Sequence, residues 1–449
     1  MDAPVVIGSD EWWRSLALKV SRAFTPNTPV DKRALFAGRA DQMIKIVDVI
    51  NSPGQHAILF GDRGVGKTSL ANVLSETLPR QPGPKPPTVI APRVQCDGGD
   101  TFKSVWIKVF DQIELSGRAH VLGFDRPEKN AKFSSKDLLG KEKVTPDSVR
   151  RVLTIMAQGT VPILIIDEFD RLRQEPRRAF ADLVKNLSDN AVGATIVLVG
   201  VADSIGSLID EHQSVTRALV QVQVPRMVDV EIREILEKGT SRLGMTIDPP
   251  AQDRIVLLSQ GLPHYAHLMG KHSARMAINA RSLAITLDHV NAAIEKAIGD
   301  AQHSIRSAYN FAVRSPRKHN LFANVLLACA LADTDELGYF AAQGVRDPLR
   351  KLTGEDYGIP TFAQHLSEFS DDKRGKVLHK TGKRYRFRYR FSDPLMQPFV
   401  IMEGMARHAL PEDFLSRGRS ASVTDSAHGG AENGQSEGEL GPLFEAPAN

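Results

Sequence analysis

Residues 56–70 read His56-Ala-Ile-Leu-Phe-Gly-Asp-Arg-Gly-Val-Gly-Lys-Thr-Ser-Leu70, and the rest of the chain is organised around them. The apolar run over residues 56–60 predicts a buried strand, and apolar residues at helical spacing follow Thr68. Between them lies the P-loop pattern G-x-x-x-x-G-K-[ST], in its strand–loop–helix context. Glycines let backbone N–H groups close around phosphate oxygens, and the start of a helix adds a positive dipole end. The predicted nucleotide-binding residues are Gly61, Asp62, Arg63, Gly64, Val65, Gly66, Lys67, Thr68 and Ser69.

A second motif follows in residues 161–170, Val161-Pro-Ile-Leu-Ile-Ile-Asp-Glu-Phe-Asp170. A β-branched apolar run that ends in acidic residues is typical of a buried parallel strand that meets a ligand crevice. We expect Thr68 to hold Mg²⁺ through its hydroxyl, and Asp167 to hold it usually through water, because this ion keeps part of its hydration shell. Glu168 would polarise the attacking water, and Lys67 would reach the β- and γ-phosphates. Together the two motifs predict binding and hydrolysis of ATP with Mg²⁺.

The chain as a whole has the composition of a globular protein, with 42% hydrophobic and 24% charged residues among 449. This length allows two or three domains. No apolar run approaches the ~18 residues of a membrane span, and the first residues lack a signal-peptide pattern. The two cysteines, Cys96 and Cys329, provide neither a disulfide framework nor a zinc site. We therefore expect a cytoplasmic protein with no membrane partner. Because the net charge is only +4, a nucleic-acid partner must be argued from local charge.

The order of patterns along the chain predicts five segments. Residues 1–29 form an N-terminal helix and connector, and strands alternating with helices over 30–225 indicate a parallel, doubly wound α/β sheet. Helical patterns alone fill 226–305. Three helical patterns and a hairpin that turns near Thr381-Gly382 make a winged helix-turn-helix the simplest interpretation of 306–410. Residues 411–449, rich in Ser, Gly and Glu, are expected to be disordered.

Three local expectations follow from periodicity alone. Residues 101–115 and 340–352 are each expected to be one helix. Residues 89–96 are expected to be one strand. Residues 124–143 are polar and weakly periodic, and therefore predict an exposed insertion.

These motifs resemble the AAA+ ATPases, specifically the origin-recognition and initiator-like group, whose core is followed by a helical lid and a winged helix. The resemblance covers residues 30–405. It implies that Gly38-Arg39 contacts the adenine side and that Asp203, where the family usually has asparagine, senses the γ-phosphate. It also implies that Arg217 is an arginine finger for a neighbouring subunit of a homo-oligomer formed on ATP binding.

The turn Gly261-Leu-Pro-His264 matches the turn that precedes a sensing arginine in such lids. His264 stands where that arginine is expected, and it is the candidate for nucleotide contact here. A Gly-x-Pro turn in this place also resembles signalling NTPases of the STAND group. The missing arginine favours slow hydrolysis and a switch over a motor.

Residues 384–391, Arg-Tyr-Arg-Phe-Arg-Tyr-Arg-Phe, alternate strictly, which predicts arginines on one face of a strand and aromatic residues on the other. Like-facing side chains lie roughly 7 Å apart, close to the spacing of phosphates along a DNA strand. An edge strand protected by charge is the alternative. We expect contact with the backbone of double-stranded DNA and little sequence specificity, because arginine on phosphate positions a protein without specifying a sequence. The expected DNA-binding residues are Lys380, Lys383, Arg384, Arg386, Arg388 and Arg390.

Three functions stay open at this point. The first is an initiator-like, ATP-dependent switch that engages double-stranded DNA. The second is a STAND-like signalling NTPase whose winged helix binds a protein partner or latches the lid. The third is a transposition-regulator-like ATPase that forms filaments on DNA. Solvent-exposed arginines in 384–391 would favour DNA, and arginines buried against acidic lid residues would favour the latch.

Overall fold

A computed structural model of the chain describes residues 6–26, 36–78, 88–118, 130–134, 143–201, 215–316, 320–335, 338–383, 386–410 and 414. The chain divides into two compact units. The first unit comprises residues 1–29, 62–66 and 225–434, and the second comprises 30–61, 67–224 and 435–449. The five-segment division expected from the sequence stays a prediction.

The second unit is built on a six-stranded sheet. The unit's strands are β1 (His56–Phe60), β2 (Val89–Ile90), β3 (Arg93–Gln95), β4 (Glu114–Arg118), β5 (Asn130–Ser134), β6 (Val161–Asp167), β7 (Thr195–Gly200) and β8 (Leu219–Gln223). The sheet order is β2–β6–β7–β1–β8, with β3 also paired to β6, and every pairing in it is parallel. The predicted parallel α/β core is therefore confirmed. Because β7 alone separates β1 from β6, the strand before the P-loop and the strand with the acidic pair end at the same edge.

Among the described residues of this unit, five helices accompany the sheet. They are Ala40–Ile50, Lys67–Thr77, Phe102–Asp111, Pro146–Met156 and Gln174–Asp189. The core of the unit includes a group of buried aromatic rings, among which Trp106 and Phe180 stack with ring centroids 5.9 Å apart. Rings of this size each remove about 150–250 Å² from water, so they contribute strongly to burial.

Local expectations for the second unit need two corrections. The helix expected over 101–115 ends at Asp111, and β4 follows and pairs antiparallel with β5 inside the expected insertion. Periodicity missed β4 because its sequence, Glu-Leu-Ser-Gly-Arg, contains a single apolar residue and therefore shows no alternation. The strand expected over 89–96 is two short strands, since Pro92 between them has no N–H for the ladder.

The first unit is mainly helical. Its helices are Asp10–Ala23, Asp229–Leu243, Pro249–Ser259, Pro263–Asn279, Leu287–Asp300, His303–Val313, Phe322–Leu331, Ala342–Thr353, Ile359–Phe369 and Met396–Ala406. Its strands are β9 (Thr246–Ile247), β10 (Ala284–Ile285), β11 (Phe340–Ala341), β12 (Leu378–Thr381) and β13 (Arg388–Phe391). No helix in the described part of the chain is both long and apolar enough to cross a membrane.

Two expectations for the first unit were wrong. Residues 226–305 are not purely helical, because β9 and β10 form a parallel two-residue ladder. The helix expected over 340–352 begins at Ala342, since Phe340 and Ala341 pair with β13. A two-residue strand is too short to produce a period, and a partner elsewhere in the chain decides its conformation.

The N-terminal helix is fixed to this unit by Phe24, which is fully buried. A Cβ at Gly239 would lie 2.3 Å from Phe24 Cε1, and one at Gly270 would lie 2.5 Å from the same atom. Both helices that receive Phe24 therefore need glycine at the contact.

Candidate nucleotide site and candidate nucleic-acid interface

The P-loop has the backbone that its glycines predict. Gly64 and Gly66 have φ of 86° and 95°, a region that residues with a Cβ rarely adopt. Helix Lys67–Thr77 begins directly after Gly66. Lys67 Nζ donates to the carbonyl oxygen of Gly61 at 3.0 Å, so the ammonium group is held against the start of the loop. The loop, the helix start and the ammonium group together provide the chemistry for a polyphosphate.

The acidic pair closes strand β6. Asp167 is only 2% exposed and accepts hydrogen bonds from Arg93 Nη2 at 2.7 Å and from the backbone N–H of Glu168 at 2.8 Å. Glu168 has φ of 54°, and its Oε2 forms an ion pair with Arg171 Nε at 3.0 Å. Each carboxylate of the pair thus has an arginine partner.

Sequence reasoning missed both arginines. Arg93 lies in β3, whose Gln95 is in register with Asp167. This register is visible only once the strands are paired. Arg171 is three residues after Glu168 in the same short helical turn, and that spacing could have revealed it.

The residues fit Mg²⁺. Asp167 and Thr68 supply hard oxygen donors of the kind that this ion prefers. The contact with Arg93 shows that the Asp167 carboxylate accommodates a neighbouring positive charge in this position. In the described parts of the chain, no group of three or more His, Cys, Asp or Glu is arranged as a metal site. An ion held by Asp167 and Thr68 would need water and phosphate oxygens to complete its shell, and these two ligands stay a prediction.

Three further predicted residues have different outcomes. Arg39 is buried, has φ of 67° and directly precedes helix Ala40–Ile50. Asp203 lies outside the described residues. Arg217 is exposed at the amino end of β8, whereas the P-loop follows the carboxyl end of the neighbouring parallel strand β1. Five strand residues, roughly 16 Å, separate the two edges, so Arg217 does not serve the P-loop of its own chain.

His264 contacts the N-terminal segment. Its Nδ1 lies 2.7 Å from the carbonyl oxygen of Pro26. Burial lowers the pKa of His264, and the contact with Pro26 opposes this decrease. The imidazole therefore has a structural partner, and its contact with nucleotide stays a prediction.

The tip of the P-loop contacts residues near the C-terminal end of the first unit. Arg63 Nη1 and Asp393 Oδ2 form an ion pair at 3.4 Å. A Cβ at Gly64 would lie 2.8 Å from Leu395 Cδ2, and Tyr265 Oη donates to the carbonyl oxygen of Leu395 at 2.6 Å. Nothing in the sequence of residues 392–397 indicated this contact, because it joins segments more than 300 residues apart along the chain.

The arginine-rich strand alternates where the structure describes it. In β13, Tyr389 is buried and Arg388 is exposed. Arg388 Nη2 donates to Asp335 Oδ2 at 2.7 Å, and the Arg390 guanidinium lies 4.9 Å from the centre of the Tyr339 ring. These partners belong to the region around β11 rather than to residues 226–305.

The other candidate DNA contacts lie around the same hairpin. Lys380 Nζ is 3.9 Å from the centre of the Phe387 ring. Arg386 and Lys383 are exposed. Arg384 lies outside the described residues. The hairpin thus presents positive charge, and part of this charge is paired with Asp335 and Tyr339 near β11.

Comparison with known proteins shows which protein family the core resembles. Residues 50–209 match a family model described as an AAA domain, AAA_22. No curated protein matches the sequence. Many solved structures resemble the chain at low identity, including the following three. The Aeropyrum pernix ORC2 protein in ADPNP–ADP complexes is 15% identical, with a TM-score of 0.47, and the match covers 86% of this chain and 98% of that one. The Aeropyrum pernix ORC1 protein in complex with DNA is 15% identical, with a TM-score of 0.42 and coverage of 86% and 97%. The Walker-type ATPase paby2304 of Pyrococcus abyssi is 17% identical, with a TM-score of 0.47 and coverage of 83% and 98%. The match over residues 50–209 confirms the predicted resemblance to AAA+ ATPases for this part of the chain.

Proposed function

We propose that this protein is an AAA+ switch that binds ATP with Mg²⁺, hydrolyses it slowly and engages double-stranded DNA. The ATPase part rests on one observation. A P-loop whose glycines have positive φ is followed by a helix, and the Asp167-Glu168 pair closes β6, a strand of the sheet that also contains β1 before the P-loop. Lys67 would bind the β- and γ-phosphates, and Thr68 and Asp167 would hold Mg²⁺. When bound, Mg²⁺ supplies charge stabilisation to the phosphoryl group. Arg39, Asp203 and His264 would contact nucleotide, and Arg217 would act on a neighbouring subunit.

Slow hydrolysis follows from the partners of the acidic pair. Glu168 accepts the proton of the attacking water only if its carboxylate turns towards that water, and the ion pair with Arg171 opposes this turn. Before Asp167 can support the metal, its carboxylate must either be shared with Arg93 or lose the hydrogen bond from Arg93. Both steps add to the barrier of turnover and neither prevents nucleotide binding.

Glu168→Gln tests the ATPase assignment. We expect ATP affinity to stay within about threefold while hydrolysis falls by roughly 10²–10⁴-fold, because water activation is lost and the Mg²⁺ ligands remain. Glu175→Gln in the following helix is the control and should change neither quantity. Equal losses of binding and hydrolysis in Glu168→Gln would show that Glu168 is not the base.

The DNA part of the proposal rests on the element order of the C-terminal region. Helix Phe322–Leu331, strand β11, two helices and the hairpin β12–β13 follow one another in the order of a winged helix-turn-helix. Helix Ile359–Phe369 would enter a groove, and the hairpin would lie along the phosphate backbone. Exposed Arg386 and half-exposed Arg388 are the cations best placed for that contact.

A salt series tests the DNA contact. Arg386→Ala combined with Arg388→Ala should weaken duplex binding similarly for all sequences and flatten the salt slope by about 1 to 2 units, since each neutralised phosphate contributes about 0.9. The effect of Arg388 should be the smaller one because Asp335 already shares its charge. The matched control is Arg346→Ala combined with Arg350→Ala, two exposed arginines of helix Ala342–Thr353 that also pair with aspartates. Fluorescence anisotropy of one labelled duplex across the series measures the slope.

One observation favours a second candidate, a STAND-like signalling NTPase with a latched C-terminal region. Arg63 and Gly64 of the P-loop contact Asp393 and Leu395 within the first unit. A segment held against the P-loop in this way suits a latch that nucleotide controls. An unchanged salt slope in the Arg386/Arg388 double variant would make this the leading function.

A further inference from the structure

The P-loop is tied to a polar network centred on the partly buried Arg226 in the first unit. Arg226 Nη1 donates to Gln397 Oε1 at 2.7 Å and to the carbonyl oxygen of Gln260 at 3.3 Å. Its Nε lies 3.7 Å from Oδ2 of Asp62, the second residue of the P-loop. We call Asp62, Arg226, Gln260 and Gln397 the Arg226 network. One guanidinium thus joins the P-loop, the residue before Gly261 and helix Met396–Ala406.

Gln397 is fixed in this network at both ends of its amide. It is 4% exposed, and its Nε2 donates to the carbonyl oxygen of Ala330 at 3.0 Å and to Gln260 Oε1 at 3.3 Å. Its Oε1 accepts from Arg226. A buried amide with partners on both sides specifies one arrangement, because any other rotamer leaves buried polar groups unpaired. The first turn of helix Met396–Ala406 therefore has one favoured position relative to Arg226.

The turn at Gly261 presents Gln260 to Arg226. Gln260 and Gly261 have φ of 50° and 70°, and a Cβ at Gly261 would lie 2.6 Å from the carbonyl oxygen of Met227. Met227 N–H in turn donates to the carbonyl oxygen of Gly261 at 2.8 Å. The residue after Arg226 is thus hydrogen-bonded to the residue after Gln260. This gives the Gly261-Leu-Pro turn a role that does not depend on a sensing arginine.

The charge of Arg226 makes the network sensitive to the position of Asp62. Burial lowers the pKa of Arg226, and Asp62 opposes this decrease. Within the described residues, the ion pair of this guanidinium is with Asp62. Removing the partner of a charge that is largely shielded from water is unfavourable. A shift of the P-loop that moves Asp62 must therefore be accompanied by rearrangement of Arg226 and its other partners.

We propose that Arg226 is a positioning residue that couples the P-loop to helix Met396–Ala406, so that nucleotide binding and the conformation of that helix change together. This coupling rests on the proposed ATP-binding function. It is reciprocal by thermodynamic necessity: if nucleotide shifts the equilibrium between two conformations of the helix by some factor, these two conformations differ in nucleotide affinity by the same factor.

Gln397→Leu is the test. Gln397 lies outside the P-loop, and the leucine side chain has a volume similar to that of glutamine. Hydrogen exchange of peptides covering residues 393–406 is measured with and without MgATP, and ATP affinity is measured by calorimetry. In the unmodified protein, MgATP should change exchange in these peptides. In Gln397→Leu this response should be lost, and ATP affinity should change by about 5- to 150-fold.

Gln252→Leu is the matched control. Gln252 accepts from Arg233 Nη1 at 3.1 Å, so the unit contains a second arginine–glutamine pair outside the Arg226 network. This variant should keep both the exchange response and the ATP affinity. A full exchange response in Gln397→Leu would overturn the proposal. If Gln397→Leu does not fold, Arg226→Lys replaces it, because lysine keeps the charge but lacks the planar fork of donors, and retention of the response would again overturn the proposal.

Failure of the proposed function is distinguishable from failure of the coupling. If the unmodified protein does not bind ATP, the proposed function is wrong, and the network is then judged without nucleotide. Asp62→Asn, Gln397→Leu and the double variant form a cycle in urea unfolding. Non-additive effects on the free energy of unfolding support the coupling between the P-loop and the helix, and additive effects refute it.

Discussion

Arg93→Met is expected to destabilise the second unit by about 3 kcal/mol in the absence of Mg²⁺. Asp167 is 2% exposed, and Arg93 Nη2 is its charged partner at 2.7 Å. Breaking a buried ion pair by removing one partner costs about 3–5 kcal/mol. The lower end applies because Arg93 is 24% exposed and because Asp167 keeps its hydrogen bond from the N–H of Glu168. Methionine retains the apolar stem, so the loss reports the charge.

Urea unfolding followed by Trp106 fluorescence measures this loss. Trp106 is fully buried in the core of the second unit, and Trp12 and Trp13 are the other two tryptophans. A Trp12→Phe, Trp13→Phe background therefore makes the signal specific for this unit. Mg²⁺ that binds Asp167 should restore part of the loss, about 2.7 kcal/mol at a concentration of 100 Kd.

Arg151→Met is the matched control. Arg151 pairs with Asp147 on helix Pro146–Met156, and both side chains are more than half exposed. An exposed pair of this kind contributes little to stability, because water screens it. If Arg93→Met costs no more than Arg151→Met, the contact between Arg93 and Asp167 does not neutralise a buried carboxylate, and the explanation given for slow turnover loses its basis.

Two further predictions concern assembly and pH. A mixture of the Arg217→Ala and Lys67→Ala variants should regain part of the ATPase activity, because mixed interfaces pair an intact P-loop with an intact arginine. No recovery in a mixture that co-assembles would count against an arginine finger donated between subunits. Burial lowers the pKa of His56 to about 4, so the unfolded state binds more protons below its pKa of about 6.5. The stability from neutral His56 is complete above that pH and falls by about 1.4 kcal/mol per pH unit towards pH 4, roughly 2 kcal/mol at pH 5. His56→Asn keeps an acceptor for the N–H of Ile196 and should flatten this loss in urea unfolding at pH 7 and pH 5, and an unchanged loss would contradict the assignment.

The core was predictable from the sequence because its strands are buried on both faces. Strands β1 and β6 appear as continuous apolar runs, and a glycine pattern or an acidic pair marks where each run ends. Helix Met396–Ala406 was not predicted, and the extent of its burial explains why. It is buried almost all round, so it shows no amphipathic period, and nothing distinguishes it from other apolar stretches.

The site was predictable only where local chemistry defines it. The P-loop and the Asp167-Glu168 pair are recognisable because their function needs fixed residue types at fixed spacing. Arg93 and Arg226 act through partners in other segments, which strand register and packing bring together. No local pattern marks such an arginine, since an isolated basic residue in a sequence is most often an exposed one.

Calorimetric titration of the full chain with MgATP, compared with Lys67→Ala, measures most directly whether residues 61–68 bind ATP. The ammonium group held at Gly61 is the P-loop's cation for the β- and γ-phosphates. We predict saturable binding at one site per chain in the unmodified protein and a loss of at least about tenfold in affinity in Lys67→Ala, the factor that corresponds to about 1.4 kcal/mol. Equal affinity in the two proteins would show that Lys67 does not bind the phosphates of ATP and would contradict the assignment of residues 61–68 as the nucleotide site.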